Sequence, residues 1–505
     1  MGVDFENCFI LFLICIFSLL CYSIIFKKPK NSRRGRDLPP SPPSLPIVGH
    51  LHLLLSTLIH KSLQKISSKY GPLLHLRFFH VPIILVSSAS MAHEIFKSHD
   101  LNISYRGVSA NGESLVLGPS GFLSAPYGDY LKFVKKLTVT NLLRPQAVEK
   151  AQGVRAVELR RFYTNLLEKA KKKESVEIAM EVMKLTNIMF FRMIMGRRYS
   201  EESGYAERFM ELTTKSLALT KKVFFANMLR SILEKLGISL FNKEIMGVSR
   251  EYDELLEKIL VEHEETPEEE DQDKDMMDYF LEAYRDEKAE YKITRNHIKC
   301  LFAESFLGGT APSTGATEWT MAEILNNPKI LEKMREEIDT VVGKARLIQE
   351  SDLPDLPYLQ AVVKEGLRMY PPFPLVLRAF QESCEIKGFY VPKETVLAFN
   401  AYHVMRDPDS WEDPDEFKPE RFLDFSRSGQ EEQGMKYIPF GAGRRGCPGS
   451  NLANIMQSTT IGTMVQCFDW RIKGDKINME ETLAGLILTM ATPLKCTPVP
   501  RLRPF

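Results

Sequence analysis

Cysteine is scarce in this chain: eight in 505 residues, with no Cys-x-x-Cys pair. That excludes a disulfide framework and gives no support for a structural zinc cluster. An excess of one charge is missing too. The 66 basic residues meet 65 acidic ones, so the chain is not built to coat nucleic acid, and no such partner is expected. With 44% apolar and 26% charged residues it is neither wholly disordered, nor collagen-like, nor a multi-span membrane protein. Internal repeats and a second proline-rich linker are also absent, so one large body is expected although the length would allow about three domains. The single low-complexity patch, 262–275 (EHEETPEEEDQDKD), is expected to be an exposed loop between helices.

What is present begins with an uncharged run of 19 residues, Cys8–Phe26 (CFILFLICIFSLLCYSIIF). As a helix it would be about 28 Å long, enough to cross a bilayer core. Lys27, Lys28, Lys30, Arg33, Arg34 and Arg36 follow it, and a basic flank stays cytosolic. The front lacks a basic segment and no small-residue cleavage site closes the run, which speaks against a cleaved signal peptide. The expected organisation is an anchor over 1–27, a basic and proline-rich hinge over 28–50, and a body over 51–505. The hinge holds five prolines between Leu38 and Pro46, so it reads as a stiff extended spacer.

The body reads as mainly helical with a minority of strands. Leu73–Phe79 and Ile83–Val86 flank His80-Val81-Pro82 and predict an early hairpin. Helical blocks are expected over 150–170, 208–235, 250–265 and 327–342. The run from Thr294 to Leu325 is unusually long and carries Gly308, Gly309 and Pro312 in its middle. Pro312 has no amide hydrogen, so the Gly308 carbonyl loses its helical partner. The run is either one helix with room for a flat group or a water alongside, or two helices broken by a turn.

The densest chemical signal is Pro439-Phe-Gly-Ala-Gly-Arg-Arg-Gly-Cys-Pro-Gly449. Four glycines allow a tight loop whose amides turn inward on one atom, and Cys447 is the natural target. A thiolate there would be stabilised by those amides, by Arg445, and by a helix starting at Ser450. One sulfur alone cannot build a zinc or iron–sulfur site, but it can be the single axial ligand of a haem iron. A buried structural cysteine and a nucleophile with a histidine base remain open on the residues alone. The segment GAGRRG superficially matches a dinucleotide-binding pattern, but Cys447 and Pro448 follow it and no βαβ context surrounds it.

The chain resembles a microsomal cytochrome P450 of the plant group that handles specialised metabolites. That family's haem-loop pattern falls on Phe440, Gly443, Arg445, Cys447 and Gly449. Its Glu-x-x-Arg motif falls on Glu365 and Arg368, and its Pro-Glu-Arg-Phe segment on Pro419–Phe422. The resemblance runs over essentially the whole chain. It implies a mainly α fold with minor β, a cytochrome P450 fold preceded by one N-terminal transmembrane helix. The implied placement is single-pass in the endoplasmic reticulum membrane, with the body facing the cytosol. It implies haem b held by Cys447, with Phe440 and Gly449 in the loop and Lys135, Arg378 and Arg445 as propionate partners. It implies a buried network of Glu365, Arg368 and Arg421; losing one member of such a triad strands a charge at a cost of about 3–5 kcal/mol. The implied partners are NADPH–cytochrome P450 reductase, cytochrome b5, the bilayer and an apolar small molecule. Lys436, Arg444 and the Lys132–Lys136 cluster are candidates for meeting an acidic reductase.

Two segments depart from that family. The tryptophan and arginine of a propionate-binding helix are Leu131 and Lys135 here; lysine supplies charge but not a planar fork. In the oxygen-binding pattern the acid is Ala311 and the hydroxyl residue is Pro312. Neither can pass a proton. Candidates for holding a relaying water are Thr310, Ser313 and the carbonyl freed by Pro312, or the substrate's own hydroxyl. The expected reaction is oxygenation of a bulky apolar plant metabolite, a triterpenoid by resemblance to a crucifer subfamily. Alternatives are flavonoid or phenylpropanoid oxidation, redox-neutral isomerase or dehydratase chemistry, and a non-catalytic haem-binding role. Expected pocket segments are 105–122, Gly308–Pro312, Phe373–Leu377 and Gly485–Thr489, with Phe122, Phe373, Leu375, Val376, Leu486, Ile487 and Leu488 prominent.

Overall fold

The computed structural model describes residues 32–33, 36–54, 58–106, 121–123, 125–196, 203–233, 241–265, 274–423 and 435–501. Among them are twelve helices of ten or more residues: α1 (Ile59–Tyr70), α2 (Ala89–His99), α3 (Asp129–Thr138), α4 (Gln152–Lys171), α5 (Ile178–Met195), α6 (Tyr205–Leu233), α7 (Asn242–Glu265), α8 (Met276–Arg285), α9 (Arg295–Asn326), α10 (Pro328–Val341), α11 (Pro357–Met369) and α12 (Ser450–Cys467). A four-stranded sheet has the order β1 (Leu73–Phe78), β2 (Val81–Val86), β4 (Val396–Asn400), β3 (Leu375–Ala379). Only the β2–β4 pair is parallel. A hairpin, β5 (Glu481–Ala484) and β6 (Ile487–Met490), lies apart from that sheet.

The early hairpin turns at Phe79 and His80, one residue sooner than the Pro82 signal suggested, with Phe79 at φ +52°. Pro82 sits inside β2 opposite Arg77, but the parallel ladder to β4 begins only at Ile83. Its missing N–H therefore costs that ladder nothing. The proline-rich segment is not a free spacer at its carboxyl end. Pro39 and Pro42 are buried, His75 donates its amide to Pro40 O at 2.8 Å, and the His50 ring lies 2.9 Å from Pro42 O and accepts the Arg77 amide. Within the acidic patch, α7 continues to Glu265, residues 266–273 lie outside the described set, and Asp275 caps α8 in a reciprocal capping box.

α9 is a single continuous helix of 32 residues, which decides between the two readings of its sequence. Thr294 caps its start, accepting the His297 amide and donating its own to the His297 ring. Packing on several sides then carries the helix through Pro312. Phe302 and Phe306 of α9 meet Phe191 of α5 and Phe209 of α6 with ring centroids 5.0–5.7 Å apart. The other flank packs on α11 and α12. At Gly309 a Cβ would fall 2.0 Å from the Phe190 ring, so glycine is what lets α5 come this close.

One expectation is corrected. Among the described residues no helix is long and apolar enough to cross a membrane. The longest, α9, carries Arg295, Lys299, Glu304, Glu318 and Glu323, and charges of that number forbid a span. The run Cys8–Phe26, on which the transmembrane helix was expected, lies outside the described residues. The fold is thus a helix-rich body with a small β content, and the single-pass endoplasmic reticulum placement has no spanning helix to rest on among those residues.

Candidate active site

The loop ahead of α12 closes on itself. Cys447 donates its amide to Phe440 O at 2.9 Å, and Gly446 donates to Gly443 O at 2.9 Å. Gly443, at φ +67°, also takes the shape that only glycine accepts easily. A Cβ there would strike Asp100 Oδ1 at 2.1 Å. Asp100, at the end of α2, accepts the Arg444 amide at 3.1 Å and pairs with Arg444 Nε at 3.4 Å. The loop is thereby fixed from both ends. Cys447 combines two properties that seldom coincide: it is solvent-accessible, yet burial raises its thiol above the ordinary range, against the Gly449 amide and the positive charges of Arg106 and Lys135.

Three arginines gather beside the loop. Arg445 donates to the carbonyls of Ser104 (2.7 Å), Phe122 (3.1 Å) and Ala125. Arg378 donates to Leu377 O at 2.8 Å and to Arg445 O at 3.4 Å. Arg106 has a buried Nε with no hydrogen-bond partner among the described residues. None of the three makes an ion pair within 4.0 Å there. Burial first, then mutual repulsion, pulls Arg378 down to about 9 and Arg445 down to about 10. Burial lowers Arg106 as well. Glu304 acts on Arg106 and Arg445, and Asp100 on Arg378, only at a distance, so the three cations have room for a directly bound anion. Lys135 Nζ donates to Arg444 O at 3.0 Å, and its charge also acts on Cys447.

The second cluster is behind the loop. Arg368 grips Glu365 with two hydrogen bonds, Nε to Oε2 at 2.7 Å and Nη2 to Oε1 at 2.9 Å, and both side chains have zero exposure. Arg421 Nε reaches Glu365 Oε1 at 3.1 Å. The Arg368 fork is completed by the carbonyls of Met405 and Pro414, both at 2.8 Å. Glu365 and Arg368, one helical turn apart, and the distant Arg421 form one largely buried and satisfied network.

On α9, Gly308 is exposed, and a Cβ there would meet nothing within 4 Å. Helical spacing puts Glu304, Gly308, Pro312 and Gly315 on one face. Thr310 is fully buried on the other side and donates to Phe306 O at 2.9 Å, so its hydroxyl is committed within its own helix. Ser313 is buried and its carbonyl accepts from Thr317 at 2.9 Å. Ala311 and Pro312 bring no proton-carrying group. Phe373 and Leu486 stay 41% and 39% exposed, whereas Ile487 and Leu488 are core residues. The Leu488 amide donates to Pro372 O at 2.9 Å, which locks β6 beside the Phe373 segment. Of the expected 105–122 segment, 107–120 lies outside the described residues.

Two residues at the site escaped the sequence reading. Arg106 stands at the edge of a segment read only for substrate contact. Glu304 is an acid in an apolar stretch of α9, one turn before Gly308, and that period-4 spacing was its available signal. It is buried; Oε2 accepts the Leu123 amide at 3.1 Å. Burial pushes its carboxyl up to about 7, against amide hydrogen bonds and the positive charges of Arg106 and Arg445.

Residues 39–497 match the family profile described as Cytochrome P450. Cytochrome P450 705A22 of Arabidopsis thaliana is 63% identical, with 99% of this chain and 98% of that protein covered. The 3,9-dihydroxypterocarpan 6A-monooxygenase of Glycine max is 37% identical, with 98% of each covered. A solved zebra fish cytochrome P450 structure with progesterone superposes with a TM-score of 0.76 at 23% identity, over 88% of this chain and all of that one.

Proposed function

This chain belongs to the cytochrome P450 family, and from that premise we propose that Cys447 is the axial ligand of its haem. We further propose that Arg106, Arg378 and Arg445 hold the haem propionates. The protein is a haem-thiolate monooxygenase that works with haem b, dioxygen and electrons passed from NADPH by a reductase. When bound, the haem supplies dioxygen activation, and an axial thiolate pushes electron density that favours oxygen–oxygen cleavage. The observation that carries the assignment is an exposed Cys447 beside Arg106, Arg378 and Arg445, none of which makes an ion pair within 4.0 Å among the described residues. A planar group with two carboxylates fits both halves of that site.

The protein's own residues do the rest. The glycine loop and the Gly449 amide hold the sulfur in place. Arg445 ties the loop to the 121–125 segment, so propionate binding and the wall carrying Phe122 are mechanically joined. Phe373 and Leu486 offer an apolar surface that excludes water and orients an apolar substrate. Substrate class follows the resemblance to triterpene-modifying relatives and the 61–63% identity to five Arabidopsis 705A proteins: a bulky triterpenoid alcohol. Cytochrome b5 is a further candidate electron donor. The test is NADPH-dependent conversion, with reductase present, of a triterpenoid and flavonoid panel. Hydroxylated triterpenoid is the expected product; turnover confined to the flavonoids would overturn the substrate class.

A further inference from the structure

Each turnover of a monooxygenase joins RH, dioxygen, two electrons and two protons into ROH and water. The electrons come from the reductase, but the protons must enter through the protein. In this chain the usual acid–hydroxyl pair is Ala311 and Pro312, and the neighbouring Thr310 hydroxyl is bonded to Phe306 O on the buried side of the helix. Glu304 remains on the same helical face, one turn before Gly308 and two before Pro312, buried with Oε1 against Gly121 and Oε2 bonded to the Leu123 amide. Four residues of helix rise are about 6 Å, a gap that one or two waters bridge.

The surroundings of Glu304 suit a proton carrier. It is buried, accepts the Leu123 amide, and forms no ion pair within 4.0 Å among the described residues. The groups that face it electrostatically are Arg106 and Arg445, with Tyr130 and Cys300 on its flank. Arg106 lies within electrostatic reach of both Glu304 and Cys447. Burial also keeps the carboxyl exchangeable near neutrality.

We propose that Glu304 is the proton source of this enzyme, standing in for the acid–hydroxyl pair that Ala311 and Pro312 replace. The acid releases one proton through water toward the reacting oxygen as its carboxylate forms, and it is recharged from solvent. The inference rests on the haem-thiolate reading above.

The test uses the full chain with its reductase and compares the parent with Glu304→Gln. The glutamine keeps an oxygen for the Leu123 amide but has no acidic proton. The carbon monoxide difference spectrum and the substrate-induced spin shift should match the parent. Product per NADPH should fall at least tenfold, with hydrogen peroxide released in its place. Adding Ala311→Asp and Pro312→Thr to Glu304→Gln should restore coupling. Unchanged coupling in Glu304→Gln overturns the proposal. So does a loss of haem or of the spin shift in step with activity, which would make Glu304 only a clamp on the 121–125 segment. Should Glu304→Gln not fold, Glu304→Asp decides: a larger solvent deuterium isotope effect supports the proposal, and no change refutes it. A parent without a thiolate-type carbon monoxide spectrum would instead refute the haem-thiolate reading itself.

Discussion

Glu365 illustrates how a single residue can be indispensable without touching substrate. Its carboxylate, itself with zero exposure, takes two bonds from Arg368, one from Arg421 and one from the Lys418 amide. Removing one partner leaves an unpaired buried charge. Arg368→Ala should therefore destabilise the protein by about 3–5 kcal/mol, seen as a lower urea midpoint and lost haem retention. Glu318 offers a test of pH dependence. Burial raises its carboxyl to about 7, and Oε1 accepts the Leu494 amide at 2.9 Å. An acid whose pKa is raised on folding stabilises the native state fully below the unfolded value, and that stability is lost as pH climbs through the folded value. Glu318→Gln should flatten the fall in Tm between about pH 4.5 and 7, worth on the order of 3 kcal/mol; an unaltered Tm profile would show that the carboxyl is solvated.

At the scale of elements, α9 and the cysteine loop show what sequence periodicity does and does not reveal. The length of α9, its breakers and the missing acid–hydroxyl pair were all readable as pattern. That Pro312 leaves the helix unbroken was not, because the compensation lies in Phe191, Phe209 and the α11–α12 flank, which are distant in sequence. Gly309→Ala tests that packing directly. Its Cβ would overlap the Phe190 ring, and overpacking of this kind costs about 1–3 kcal/mol; adding Phe190→Leu should recover part of the loss in a thermal melt. Gly443→Ala should disturb the loop at Asp100 in the same way. Glu304 was legible only as an acid in a helix. Its meaning depends on Leu123 and Arg106, brought to it by the fold.

Across the whole molecule, the haem-loop motif and the Glu-x-x-Arg pair were legible because each is a short, local pattern. Two of the three arginines were legible: Arg378 and Arg445 came from the family pattern, while Arg106 needed three dimensions. Lys135 was assigned with them by position in the sequence; its ammonium donates to Arg444 O and supplies a point charge rather than a planar fork. Lys135→Met should accordingly alter haem retention less than Arg378→Met, measured as haem lost to an apoprotein acceptor. The amino-terminal expectation did not carry over to the described fold, where the long helices are held by buried faces that include charges.

The most direct test of the account is the reduced, carbon-monoxide difference spectrum of the parent protein and of Cys447→Ser, with haem content measured in parallel. The account predicts the long-wavelength Soret band of thiolate-ligated haem in the parent and its loss in the variant. A parent lacking that band although folded and haem-loaded, or a variant that kept it, would contradict the assignment of Cys447.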